Sequence, residues 1–206
     1  MTPENASDIE LLRRAAAGDA SAFAALYRGW QGRIYRFALR TSSSASIAED
    51  VVQEVFLALM DGMARFDPAL GSFSGYIYGI ARNHVLRRTI REQPGAQVLD
   101  EPEENEPDLQ EMNGNPSDPL SDLARREMVE TLHGAIASLP MRYREVVVLC
   151  ELHEMKYAEA GGVLGCSEGT IRSRLHRARS LLLQKMHEKV KANSPERKIQ
   201  PARCVS

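Results

Sequence analysis

The chain has 206 residues, of which 43% are hydrophobic and 26% charged, a size that accommodates two small domains and is too long for a single helix pair. No apolar run approaches the roughly 18 residues of a membrane span, and the start MTPENASDIELLRR lacks the basic and apolar blocks of a signal peptide, so a cytoplasmic location is expected. The formal charge of -2 conceals a segregation: residues 1–91 carry 11 basic and 9 acidic groups, 92–122 none and 10, and 123–206 15 and 9, so the near-neutral total does not exclude nucleic-acid binding, which depends on local basic surface.

Apolar residues recur at helical spacing and strand-like alternation is nowhere sustained, which predicts an all-α fold. In the first part the pattern predicts helices over 8–17, 20–39, 47–63 and 73–91. Gly18 and Asp19, the Ser/Thr run 41–44, and Phe66, Asp67 and Pro68 through Gly71 separate them. Ser46 and Glu49 have the spacing of a capping box at the start of the third. Along that helix Ala48, Val51, Val52, Val55 and Leu59 share one side, whereas Asp50, Gln53, Glu54 and Leu57 share the other. An acidic face holding an apolar residue is either solvated or docks a partner helix.

The fourth helix has a core stripe of Phe73, Ile77, Ile80 and Ala81, together with Tyr76, Tyr78, Asn83, His84, Arg87, Arg88 and Arg91. Tyr76 and Tyr78 cannot both face that core. Rings beside arginines suit single-stranded DNA, because unpaired bases stack on the rings while the cations hold phosphates; the plainer reading of either tyrosine is a half-buried edge.

Residues 92–122 contain five prolines, ten acids and no Lys or Arg, a composition that cannot bury enough surface to fold, and this predicts a flexible acidic linker between two small helical domains. It is either a solubilising spacer or an acidic strand that occupies a basic channel or masks a basic domain. Beyond it, helices are expected over 122–137, 141–153, 157–164 and 168–191, followed by a disordered tail from 192 to 206.

The stretch YAEAGGVLGCSEGTIRSRLHRAR, residues 157–179, reads as two short helices joined by a turn at Gly165 and Cys166, the layout of a helix-turn-helix. Ser167 can cap the second helix, and Glu168 suits its positive dipole end. Ile171, Leu175, Ala178 and Leu182 then form a packing face, leaving Ser173, His176, Arg177 and Ser180 opposite, with Arg172 beside them. Arginine can donate two parallel hydrogen bonds to guanine, so this face is suited to reading a major groove; the alternative is a solvated basic helix. Gly161 and Gly162 in the supporting helix cost roughly 1 kcal/mol each against alanine and predict fraying there.

Cys150, Cys166 and Cys204 are odd in number and form no CxxC pair, which argues against a disulfide framework. Cys150 and His153 lie one helical turn apart, but two further metal ligands have no evident candidates, so neither metal nor other cofactor is expected. Buried thiols acting as small apolar side chains fit the cysteines better than redox sensors.

Together these segments resemble bacterial sigma factors of the extracytoplasmic-function type, which keep only the second and fourth sigma regions. AEDVVQEVFLALM (48–60) is similar to the part that docks on the polymerase clamp, GSFSGYIYGIARNHVLRR (71–88) to the reader of the -10 element, and residues 138–182 to the domain that reads the -35 element. The resemblance implies a region 2 domain over 1–91, the linker 92–122 and a region 4 domain over 123–191. It implies contact with core RNA polymerase at Asp50, Gln53, Glu54 and Leu57. Tyr76, Tyr78, Arg82, Asn83, Arg87 and Arg88 would meet -10 DNA, and Ser167, Thr170, Arg172, Ser173, His176 and Arg177 would meet -35 DNA. The implied partners are core polymerase, promoter DNA and an anti-sigma factor, with no catalytic residue in this chain.

The sequence departs from the family where an arginine, a tryptophan and another arginine are usual and Ser74, Tyr76 and Gly79 stand instead, which implies weaker backbone contact or a shifted preference. The competing reading is a conventional helix-turn-helix regulator that binds duplex DNA without polymerase. A DNA-modifying enzyme comes third, since no nucleophile or cluster of metal-binding carboxylates is in evidence.

Overall fold

Asp19 shows how local chemistry sets the first boundary. Its carboxylate caps helix α2 (Ala20–Ser42) by accepting hydrogen bonds from the Ser21 and Ala22 amides at 2.9 and 3.1 Å, and it pairs with Arg14 at 2.6 Å near the end of α1 (Pro3–Ala16). Hydrogen bonds from the Ser21 hydroxyl, then Arg14, hold this carboxyl well below its ordinary range. The computed structural model describes residues 3–62, 66–92 and 121–193. The expected linker core (93–120), most of the expected tail (194–206) and residues 63–65 at the expected end of the third helix lie outside them.

Among the described residues all regular structure is helical, as the periodicity predicts. Helix α3 (Ala45–Gly62) begins earlier than expected, because Ser44 rather than Ser46 caps it: the Ile47 amide donates to Ser44 Oγ at 3.3 Å. Before it, Ser43 takes a left-handed φ of 61° and ends α2. Ser72 caps α4 (Phe73–Glu92) through the Gly75 amide at 3.0 Å.

The C-terminal half comprises α5 (Ser121–Ala137), α6 (Met141–Val147), α7 (Tyr157–Leu164) and α8 (Glu168–Asn193). Helix α6 does not run to His153 as one α-helix; it widens into a π-helical turn, Val148–Leu152, and Glu154 follows with φ at 53°. Helix α8 includes residues 192 and 193, which the periodicity had left to the tail.

Trp30 organises the N-terminal core. Its ring meets Phe73 edge-on at 5.5 Å and Tyr78 at 5.8 Å, while Nε1 donates to Asp8 at 3.1 Å and ties α1 to α2. On α4 the buried stripe is Phe73, Ile77, Ala81 and Val85, joined by Tyr78, whereas Ile80 is only half-buried. The apolar cluster continues through Phe37 and Tyr78 into Ile136, Leu139, Val146, Leu149, Ile171 and Leu175, so both halves share one core. Fully burying each such side chain contributes about 1.5–3 kcal/mol.

Arg144 clasps the halves. Its guanidinium donates to the carbonyls of Thr41 (2.8 Å), Leu139 (3.0 Å) and Ala137, so one cation serves the C-terminal ends of α2 and α5.

The expected fraying at Gly161 and Gly162 is not seen. Helix α7 is continuous, and both the Gly165 and Cys166 amides donate to the Gly161 carbonyl. Gly161 is buried, and a Cβ there would lie 2.7 Å from the Cys166 carbonyl oxygen. The residue therefore permits the close approach of turn and helix. Gly162 is exposed with open space around it.

Candidate nucleic-acid interface

Helix α8 separates packing from presentation as its periodicity predicts. Ile171, Leu175 and Ala178 are at most 1% exposed, Leu182 packs half-buried against the core, and Arg172, Ser173, His176 and Arg177 are all exposed. Ser167 caps the helix, its Oγ accepting from the Thr170 amide at 3.1 Å and lying 3.0 Å from the Thr170 hydroxyl. Arg172 is held by Glu168 one turn back at 3.1 Å, and Ser173 donates to the Thr170 carbonyl. Ser180 is half-buried and bonds back to His176. Arg179 leaves this face to pair with Glu151 at 2.6 Å, which anchors the helix on the π-helical turn; that bond raises the guanidinium's pKa further.

The α3 face divides in two. Gln53 and Leu57 are exposed, Leu57 at 59%, and Met60 extends the apolar edge. Asp50 and Glu54 instead turn toward α4 and pair with Arg88 at 3.0 and 3.5 Å. Gln53 also borders a cleft of about 540 Å³ between α2 and α3, lined by Tyr27, Arg28, Gln31, Tyr35 and Val52.

Two consecutive families of sequence coincide with these two helix sets. Residues 26–93 match the model of sigma-70 region 2 and residues 130–182 match that of sigma-70, region 4. The chain is also 30% identical to the ECF RNA polymerase sigma factor SigM of Mycobacterium tuberculosis, over 85% of this chain and 83% of that one. This chain belongs to the extracytoplasmic-function sigma factors. The factor is 33% identical to SigE of Mycolicibacterium smegmatis over 81% of its own length, a match that spans 63% of that relative. Its fold is similar to that of CnrH, solved in complex with the cytosolic domain of CnrY, with a TM-score of 0.63 at 24% identity over 91% of this chain and 99% of that one.

The residues expected to meet -10 DNA do not share one open face in the factor. Asn83 and Arg87 are exposed, and Tyr76 is half-buried with its ring 5.2 Å from Phe66. Tyr78 is only 3% exposed: its ring packs on Trp30 and Phe37, and its hydroxyl lies 2.7 Å from His153 Nδ1. Burial pushes the Tyr78 hydroxyl up to about 12 and the His153 imidazole down to about 4, the latter with help from Arg36 and Arg33. Arg82 donates two hydrogen bonds to the Glu145 carboxylate, from Nε at 2.6 Å and from Nη2 at 3.3 Å. In this arrangement Tyr78 is shut off from solvent, and Arg82 is partly exposed but engaged by Glu145.

Sequence reasoning missed Glu145, Glu159 and Arg144, and weighed His153 only as a metal ligand beside Cys150 and not as a partner of Tyr78. A clue existed for Glu145, a lone acid in the apolar run EVVVL, which burial would oblige to find a cation; its side chain is 4% exposed. Nothing local marks Glu159, which accepts hydrogen bonds from Ser72 and Ser74 of the other half. Cys150 is half-buried with its thiol pushed up to about 11 by burial, and His153 turns to Tyr78. Among the described residues no group of three His, Cys, Asp or Glu could hold a metal ion, and no helix is long and apolar enough to cross a membrane.

Proposed function

We propose that the factor acts in the cytoplasm by binding core RNA polymerase and directing it to promoters, with residues 1–91 as the region 2 domain, 123–191 as the region 4 domain and 92–122 as their linker. The observation that carries this reading is the capped, basic face of α8, where Arg172, Ser173, His176 and Arg177 are presented together by a buried apolar stripe. These four, with Ser167 and Thr170 at the helix start, read the -35 element. Arginine discriminates guanine by paired hydrogen bonds, and the cap groups hold backbone phosphate.

Gln53 and Leu57 dock on the polymerase together with Asp50 and Glu54, whose pairs with Arg88 are partly exposed, so the face offers an apolar side chain beside acids to a partner of mixed apolar and basic surface. Asn83, Arg87 and the edge ring of Tyr76 meet the -10 strand first, by phosphate contact and stacking, and Tyr78, Arg82 and Arg88 join them once released from His153, Glu145 and the α3 acids. The factor contributes recognition and strand capture, and the polymerase contributes catalysis. An anti-sigma factor, implied by the family resemblance, is a third partner.

The test is run-off transcription from genomic fragments with the purified factor and core polymerase. Factor-dependent transcripts that lose their start site when the -35 element is scrambled are expected. Duplex binding by the factor alone, with no gain from added polymerase, would instead identify a conventional regulator.

A further inference from the structure

We propose that the factor holds itself closed, its C-terminal half acting as an internal mimic of DNA that occupies the -10 reading helix through Glu145, His153 and Glu159. The inference rests on the reading of α4 as the -10 helix.

Three contacts span 63 to 87 residues of sequence and converge on one side of α4. Glu145 grips Arg82 with both carboxylate oxygens, at 2.6 and 3.3 Å, from a site where the acid is almost fully buried. Glu159 accepts hydrogen bonds from Ser72 and Ser74 at the start of the same helix. Between them His153 bonds the Tyr78 hydroxyl and lies tilted against its ring at 5.0 Å. The chemistry of this cover is that of a single strand: two carboxylates take the arginine and the hydroxyls that would hold phosphates, and an aromatic ring takes the tyrosine that would hold a base. Both acids come from the part of the chain that is basic overall, with 15 basic and 9 acidic groups over 123–206, so general charge does not explain their placement.

The covered and uncovered surfaces are different. Leu57, Met60 and Gln53 on α3 remain exposed in the closed form, as do Arg172, His176 and Arg177 on α8. A closed factor can therefore dock on its partner and present its basic helix, but it cannot capture a strand until Glu145 of α6, His153 after the π-helical turn and Glu159 of α7 leave α4. Capture is then conditional on opening, and apparent affinity for a strand falls by the fraction of molecules that are open.

The experiment compares the full chain with Glu145→Gln/Glu159→Gln, and with Glu130→Gln/Glu188→Gln as a control that removes the same charge away from α4. Small-angle X-ray scattering reads closure, and titration with a fluorescent oligothymidine reads strand binding. The interface variant should show a larger radius of gyration and at least tenfold tighter binding, with the control unchanged in both. Equal radii for wild type and interface variant, or an equal affinity gain in the control, would overturn the proposal. If the double variant loses its helical circular dichroism, Glu159→Gln alone is measured, with a several-fold gain expected over a Glu188→Gln control and no gain counting against closure. Failure of run-off transcription with all variants would strike the sigma assignment and leave the closure result standing by itself.

Discussion

Replacing Gly162 by alanine should raise the melting temperature, and replacing Gly161, one residue earlier on the same helix, should lower it. Intrinsic helix propensity treats the two positions alike and favours alanine by about 1 kcal/mol at each. At Gly162 a Cβ meets nothing within 4 Å, so the full gain is expected, equivalent to roughly 2–4 °C for a protein of this size. At Gly161 the Cβ would lie 2.7 Å from the Cys166 carbonyl oxygen. That oxygen cannot easily retreat, because the Cys166 amide is bonded to Gly161's own carbonyl at 3.0 Å and the next residue caps α8. Overpacking of this kind costs about 1–3 kcal/mol. Set against the propensity gain, the net is a loss of up to about 2 kcal/mol, or as much as about 8 °C. Thermal unfolding of the two single variants by circular dichroism separates the effects. Equal stabilisation by both would refute the close approach of turn and helix. Gly161→Ala should also weaken -35 duplex binding, since the only relief available is a shift of the turn that aims α8.

Acid should loosen the structure through His153. Burial holds its folded pKa at about 4 against an ordinary 6.5, so the unfolded chain takes up the proton first as pH falls. Its contribution is fully present above pH 6.5 and is lost between there and 4, about 2 kcal/mol by pH 5; urea titrations at pH 7.5 and 5 should show this slope reduced in His153→Phe, with a residue left by His84, whose pKa burial also lowers. Arg144→Ala strands the carbonyls of Thr41, Leu139 and Ala137 and should cost about 1–3 kcal/mol in the same assay, with Arg144→Lys recovering only part because one ammonium cannot span both helix ends. Reversing charge at Asp50 and Glu54 sets two cations against Arg88 and should lower core-polymerase co-purification. The fold should lose only about 1 kcal/mol, since both pairs are partly exposed; undiminished co-purification would remove these acids from the docking face. Arg172→Ala or Arg177→Ala should relax -35 preference at about 1–3 kcal/mol per guanine contact, read by transcription from wild-type and scrambled elements.

What the amino-acid sequence determined by itself is whatever rests on neighbours a few residues apart. The helices of α2, α4, α7 and α8 follow from apolar spacing, and the cap at Ser167 follows from a side chain reaching the amide three positions ahead; Asp19, read only as part of a break, caps α2 by the same short reach. The presented face of α8 was legible for the same reason. Ser44 displaced Ser46 as a cap because both lie in one Ser-rich run, and only the backbone path chooses between them. The tertiary structure alone decided which half of α4 is available. Tyr78 and Tyr76 look equivalent in sequence, but one is buried against Trp30, Phe37 and His153 while the other lies at the edge beside Phe66. The same holds for Arg82 and Glu145, partners 63 residues apart, and for Gly161, whose need for a missing Cβ appears only when the turn folds back upon it. Pairings at such separations leave no period in the chain, because they depend on how packed helices meet and not on how any one of them forms.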